Sequence, residues 1–229
     1  MSAYGFVKIS RDVKEAIPNP NKPTPQITTT LPTSELSKFV YDYAKEKLPP
    51  QVFNHSLRVY FYSIAIIKDQ FPSWDLDPEV VYVTSLLHDI GTTNENMHAT
   101  KMSFESWGGI ISRDLVLEKT KNQDYADAVC EAIIRHQDLG ESGYITTLGL
   151  ILQIATILDN VGLNTHLIHP DTLDAVNKAF SRAGWLDCFS AAIDRENKMK
   201  PWGHTSALGV DKFRDDVQAN KVEYVKSSL

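Results

Sequence analysis

After residue 32 the apolar positions of this chain recur at helical spacing almost to the end. Over 147–161, Leu148, Ile151, Leu152, Ala155 and Leu158 follow the i, i+3, i+4, i+7 rule of one buried helix face. Phe39, Val40, Tyr43 and Leu48 mark such a face for a helix over 35–47, which Thr33 or Ser34 can cap. A long apolar helix is expected over 51–70. Asp77-Pro78-Glu79 reads as a helix start, with proline in the first turn and acids at the positive end of the dipole; this helix is expected to run to Ile90 and stop at Gly91. Further helices are expected near 100–119, 124–137, 171–180 and 184–196. No strand pair and no internal repeat stands out. The pattern predicts an all-α fold, with one helical domain over 33–229.

Residues 1–32 break the pattern. The run AIPNPNKPTPQITTTLP cannot be helical, because each proline lacks an N–H and restricts the residue before it. It reads as an extended arm with contact points at Tyr4–Val7 and Ala16–Ile17; a disordered tail is the other reading of the same composition.

Several polar residues fall where the helical phase is apolar. Asp159 lies at +4 from Ala155 and +7 from Leu152, and a buried carboxylate needs a partner or a cation. His88 and Asp89 end the apolar stretch VVYVTSLLHDIG; adjacent helix positions diverge by about 100°, so both reach one point only in a wedge between helices. His55 lies early in its helix, below Val59 and Tyr62, and His136 closes DYADAVCEAIIRHQ. Taken singly, each is as well explained by core packing, an arginine partner or a helix end. Together, His55, His88, Asp89 and Asp159 offer imidazole and carboxylate donors from three helices, a set that a helical bundle can converge on one divalent metal.

Composition narrows the field. The net charge is −6, with 23 basic and 29 acidic residues and no basic run, which argues against a nucleic-acid partner. Cys130 and Cys188 form no C-x-x-C and fit a reduced compartment, so the chain reads as cytosolic or nuclear. No segment is long and apolar enough for a membrane span, and no signal or transit pattern is seen at the N-terminus. A homo-oligomer is left open.

The order His55, His88-Asp89 in LLHDIGTT and Asp159 resembles the H…HD…D signature of the HD superfamily of all-α metalloproteins. More narrowly, NHSLRV, LLHDIGTT, TKMSFESWGGI, EAIIRHQD, LGLILQIATILDNVG and KPWGHTS resemble fungal cyanamide hydratases over most of 35–206. The resemblance implies four metal ligands, His55, His88, Asp89 and Asp159, and a single zinc; by donor chemistry alone, iron or manganese would also suit. It implies hydration of the small neutral nitrile cyanamide to urea, helped by the lowered pKa of a water on the metal. Where HD phosphohydrolases often carry a lysine after HDIG, this chain has Thr92, which favours a neutral substrate. His98, in the polar run TNENMHATK, reads as a surface-loop residue.

For proton transfer, His136 is the first expectation, with Asp89 as relay and Lys101 as a weaker charged donor. Thr92, Asn160 and Thr156 are the expected substrate-binding residues, although packing is the better reading for Thr156. Phe104, Trp107 and Trp202 are candidate pocket walls, His204 a closing residue, and Gly108-Gly109 a close backbone approach or a helix break. Two other functions stay open: a nucleotide phosphohydrolase, with Arg58, Lys101 and Arg135 as the cations nearest the motif, and a non-catalytic ligand sensor.

Overall fold

A computed structural model describes residues 3–222; residues 1–2 of the expected arm and 223–229 of the expected domain lie outside the described residues. The fold is built from helices: α1 (Val13–Ala16), α2 (Glu35–Lys47), α3 (Pro50–Gln70), α4 (Pro78–Leu87), α5 (Asn94–Ala99), α6 (Phe104–Thr120), α7 (Gln123–Arg135), α8 (Thr147–Val161), α9 (Pro170–Ala179), α10 (Trp185–Met199) and α11 (Lys212–Gln218). Short 3-10 turns lie at Ile90–Thr92, Thr165–Leu167 and His204–Leu208. None of the helices among the described residues is long and apolar enough to cross a membrane.

Local chemistry sets the helix starts. The Ser34 hydroxyl accepts from Ser37 N at the head of α2, and the Asp77 carboxylate accepts from Glu79 N at the head of α4. α3 and α8 cross the middle of the molecule, and both are buried over most of their length. The core packs Val59, Tyr62 and Ile66 of α3 with Val83 and Leu86 of α4 and Ile151, Ala155 and Leu158 of α8.

Three features depart from the sequence pattern. A two-stranded antiparallel ribbon pairs β1 (Lys8–Ser10) with β2 (Tyr144–Thr146), Ile9 opposite Ile145. At three residues each, the strands are too short to display a period of two. α4 ends at Leu87 rather than Ile90, and the polar run expected as loop forms α5, capped by Thr93. Gly91 is not a left-handed helix stop. It sits in the Ile90–Thr92 turn, where an added Cβ would lie 2.0 Å from Phe104 O. Across that contact, Gly108 faces Gly91, and Gly109 faces Cys130 O and Ile134 of α7, so the glycine pair marks close approach within an unbroken α6.

Candidate metal centre

The break at the end of α4 is what lets His88 and Asp89 act together. His88 keeps a helical backbone (φ −59°, ψ −32°), whereas Asp89 turns to φ −100°, ψ 9°. The carboxylate thereby swings back toward the imidazole beside it, which lies 3.4 Å away (His88 Nε2 to Asp89 Oδ2). α3 supplies His55, whose Nε2 lies 3.1 Å from His88 Nε2 and 3.6 Å from Asp89 Oδ2. All three residues are buried.

The hydrogen bonds decide the tautomers. His88 Nδ1 is 2.7 Å from Ser85 O, and His136 Nδ1 is 2.7 Å from Ile133 O. A carbonyl only accepts, so both Nδ1 atoms carry the hydrogen. His55 Nδ1 is 2.6 Å from Asp159 Oδ2, a carboxylate, and donates likewise. Each imidazole, when neutral, therefore turns a bare Nε2 inward, and two of those lone pairs face each other at 3.1 Å beside Asp89. Such a group calls for a cation. Donors about 2.0–2.2 Å from a divalent metal stand roughly 3.3–3.6 Å apart when tetrahedral and roughly 2.8–3.1 Å when octahedral neighbours, and the three separations here lie within that combined span. The residues fit a metal held on one face, with further positions open.

Titration behaviour agrees with this arrangement. Burial lowers His55 to about 4, against the pull of Asp159. Burial also lowers His136 to about 4, with the His88 charge adding to it. For His88, burial works against the charged form, but Asp89 and Ser85 O outweigh it and the pKa rises. Burial likewise works against ionised Asp89, yet His88 and the other imidazoles hold it well below the carboxylate range. Asp89 thus favours positive charge on His88, at the place a metal would take.

Asp159 stands elsewhere than expected. It is not one of the three donors that converge; it lies behind His55. Arg58 donates to both carboxylate oxygens, at 2.9 and 2.7 Å, and Arg182 makes a short contact to Oδ1 and a 3.0 Å bond to Asp159 O. Burial opposes its charge, but the two guanidinium groups keep its pKa well below the usual range. The physical reason is helical phase: Arg58, three residues after His55, reaches the same carboxylate from the same face of α3. Trp185 stacks on the His55 ring at 4.0 Å and completes its support; neither Trp185 nor Arg182 carried any local sequence signal.

Of the remaining expected residues, His136 joins the cluster, with Nε2 3.8 Å from Asp89 Oδ1 and its ring against Phe104. The Thr92 hydroxyl donates to Asp89 O, and the Thr156 hydroxyl bonds back to its own helix at Leu152 O and Gln153 O. Asn160 is buried, with Oδ1 lacking a partner among the described residues. Lys101 is not brought in: it is exposed, and the buried lysine of this region is Lys200, which donates to Met102 O. Trp202 is exposed rather than a pocket wall. His204 is tied to α6 and its head, its Nδ1 3.0 Å from buried Glu105 and its N donating to Ser103 Oγ.

The segment after residue 184 covers the cluster. Arg195 donates to Thr92 O, Glu196 accepts from Phe104 N, and Thr205 donates to Glu196. The void left beneath is about 10 Å3, bounded by Thr92, Phe104 and Phe189 among others. Thr92 donates to Asp89 O and the Phe104 ring lies edge-on to His136, so these lining residues stand between the void and the donors.

The HD domain model matches residues 52–161, which contain all three convergent donors and His136. Two cyanamide hydratases of Saccharomyces cerevisiae, DDI2 and DDI3, are each 61% identical over 225 residues, 98% of this chain and the full length of each relative. The chain therefore belongs to the HD-domain family, in the branch that includes these two yeast enzymes.

Proposed function

We propose that the protein hydrates cyanamide to urea at the His55–His88–Asp89 centre, with zinc as the metal. The observation that carries this reading is the convergence of three buried donors under a close-packed cover, in which the nearby void is only about 10 Å3. A nitrile of three heavy atoms needs little more than that; a nucleotide needs a large cleft. Of the three cations nearest the motif, Arg58 is engaged with Asp159, Arg135 with Glu131 and Asp138 at the surface, and Lys101 is exposed.

The bound metal supplies Lewis acidity and lowers the pKa of water. The chain supplies the rest. His136, neutral near pH 7 and fixed with its bare Nε2 toward Asp89, takes a proton from the attacking water and returns it to the nitrile nitrogen. The C–O bond forms as one C–N π bond breaks, giving isourea, which tautomerises to urea. The Asn160 side-chain oxygen is the acceptor suited to the cyanamide amino group, with the Thr92 and Thr156 hydroxyl oxygens as further acceptors. Zinc-loaded protein with cyanamide forms urea; phosphate release from nucleotides without urea formation would overturn the reading.

Asp159 acts as a positioning group that fixes the His55 tautomer rather than as a fourth ligand. Asp159→Asn then weakens metal binding by about 10- to 100-fold, with activity restored by excess zinc. It also destabilises the protein by about 3–5 kcal/mol, since two buried guanidinium groups lose their anion. Metal titration of the variant checks this, and binding that cannot be recovered at any zinc concentration would make Asp159 a ligand.

Acid acts on the metal-free protein through His55 and His136. Their folded pKa values lie below the unfolded value, so between about pH 6.5 and 4 the unfolded chain binds more protons than the native one. Stability falls as pH drops through that window; the raised pKa of His88 acts above it, adding its stability as pH falls to about 6.5 and nothing further below. Thermal melting of the metal-free protein at steps from pH 7 to 4 measures it; a Tm that held or rose would contradict the assignment of bare Nε2 atoms.

A further inference from the structure

A cavity of about 660 Å3 lies away from the metal centre and plays no part in the proposed reaction. It is roofed by the N-terminal arm and floored by the outer side of α8. The arm is held over it by the β1–β2 ribbon, by the Arg11–Asp138 ion pair at 2.6 Å, and by Arg11 Nη1 donating to Ser142 O. The volume is that of a small-molecule site.

The lining indicates what would bind. Ile17, Ile154 and Leu167 are buried apolar wall residues, and Leu139 and Leu163 stand at the mouth, 37% and 59% exposed. Exposed apolar groups gathered at one cavity mark a place where another apolar surface is covered. The charges cancel: Arg11 and Lys14 face Asp12 and Glu141, and Arg11 is also paired with Asp138. One polar group is left over. Arg11 Nε is buried without a partner among the described residues, a donor that wants a neutral acceptor.

The cavity and the metal centre share one helix. Gln153, Ile154 and Ile157 of α8 wall the cavity, and Asp159, two residues on, points about 200° away toward His55. Gln153 Nε2 donates to Arg135 O and Asp138 O, at 2.6 and 3.0 Å, bracing the turn that carries His136. We infer that this cavity is an effector site for an uncharged, mainly apolar small molecule bearing one hydrogen-bond acceptor. An occupant would press on Gln153 and Ile157 and so reach both His136 and the Asp159–His55 pair. The link to activity rests on the proposed hydratase function; the binding does not.

The test uses the full-length zinc-loaded protein and Nile red, an uncharged planar dye with a carbonyl acceptor. Its fluorescence should saturate at one site, with 1-decanol competing and decanoate not. Val13→Trp and Ile157→Trp, two variants that fill the cavity from opposite walls, should each weaken binding by at least about 10-fold at unchanged fold. Arg11→Lys should weaken it too, by removing the Nε donor. Saturation with 1-decanol should change urea formation, zinc affinity or both by at least about 2-fold. Absence of saturable binding, or binding untouched by both tryptophan variants, would overturn the site. Equal competition by decanoate would overturn the uncharged ligand. Binding that alters neither urea formation nor zinc affinity would overturn the effector role. If the loaded protein makes no urea at all, the hydratase reading fails, while the dye titration and zinc affinity still decide this one.

Discussion

On the proposed function, His88→Ala is expected to lose metal binding and hydration of cyanamide together, whereas His136→Gln is expected to keep the metal and lose about 10²- to 10⁴-fold in kcat. The contrast follows from where the two Nε2 atoms stand. His88 Nε2 is one corner of the donor triangle, 3.1 Å from His55 Nε2 and 3.4 Å from Asp89 Oδ2. Without it, His55 and Asp89 alone remain, too few to hold a divalent ion in competition with water. His136 Nε2 lies further out, 3.8 Å from the other carboxylate oxygen of Asp89. Glutamine there can still hydrogen-bond, but it cannot accept and return a proton. Metal analysis of each dialysed protein beside a urea assay separates the two roles. Wild-type turnover by His136→Gln, or loss of its metal, would remove His136 from proton transfer. Activity retained by His88→Ala without metal would remove the metal from the reaction.

Gly91→Ala should be among the most damaging single-methyl additions in the protein. The new Cβ would lie 2.0 Å from Phe104 O and 2.8 Å from its carbonyl carbon, with Gly108 N at 3.2 Å. Backbone does not yield as a flexible side chain does, so the turn and the head of α6 must part. The expected cost is about 4 kcal/mol or more, in the range where a specific clash is the cause. For a chain of 229 residues this lowers Tm by on the order of 10 °C. Because Asp89 immediately precedes the turn, metal affinity should fall with stability. Calorimetry and zinc titration of the variant check both. A Tm within a degree or two of the parent would show that the α6 contact is not tight. Gly143→Ala provides the comparison: it has nothing within 4 Å, so any loss there is backbone strain alone, from φ +88°.

Much of the helical framework was legible because period and caps are local. The α8 stripe reads off five apolar residues, and α4 begins where Asp77-Pro78-Glu79 says it should. The elements missed were those without a local pattern. β1 and β2 are three residues each and exist only as a pair across more than a hundred residues of chain. α5 is a single polar helix of six residues with one buried side chain, Met97, so it has no apolar face to detect.

The candidate metal donors divide in the same way. His55, His88 and Asp89 could be found because buried polar groups on apolar helices stand out against their neighbours, and the family resemblance joined them. Asp159 stood out by the same criterion and was grouped with them, yet its neighbours in space are Arg58 and Arg182. Burial tells that a carboxylate needs a positive partner; it does not tell whether that partner is a metal or a guanidinium. Lys101 shows the converse, since proximity to a motif along the chain did not bring it into the site.

By itself, then, the sequence determined a helical HD-type protein and pointed to three buried polar residues that the fold brings together. The tertiary structure alone decided which side of His55 the second carboxylate supports, how α10 and the 203–208 turn seal the centre, and where the arm leaves a cavity. The division is physical. Helix period, capping and the cost of burying a polar group act over one or two turns. Choice of partner, enclosure and cavity depend on contacts between segments up to 100 residues or more apart, which no local pattern encodes.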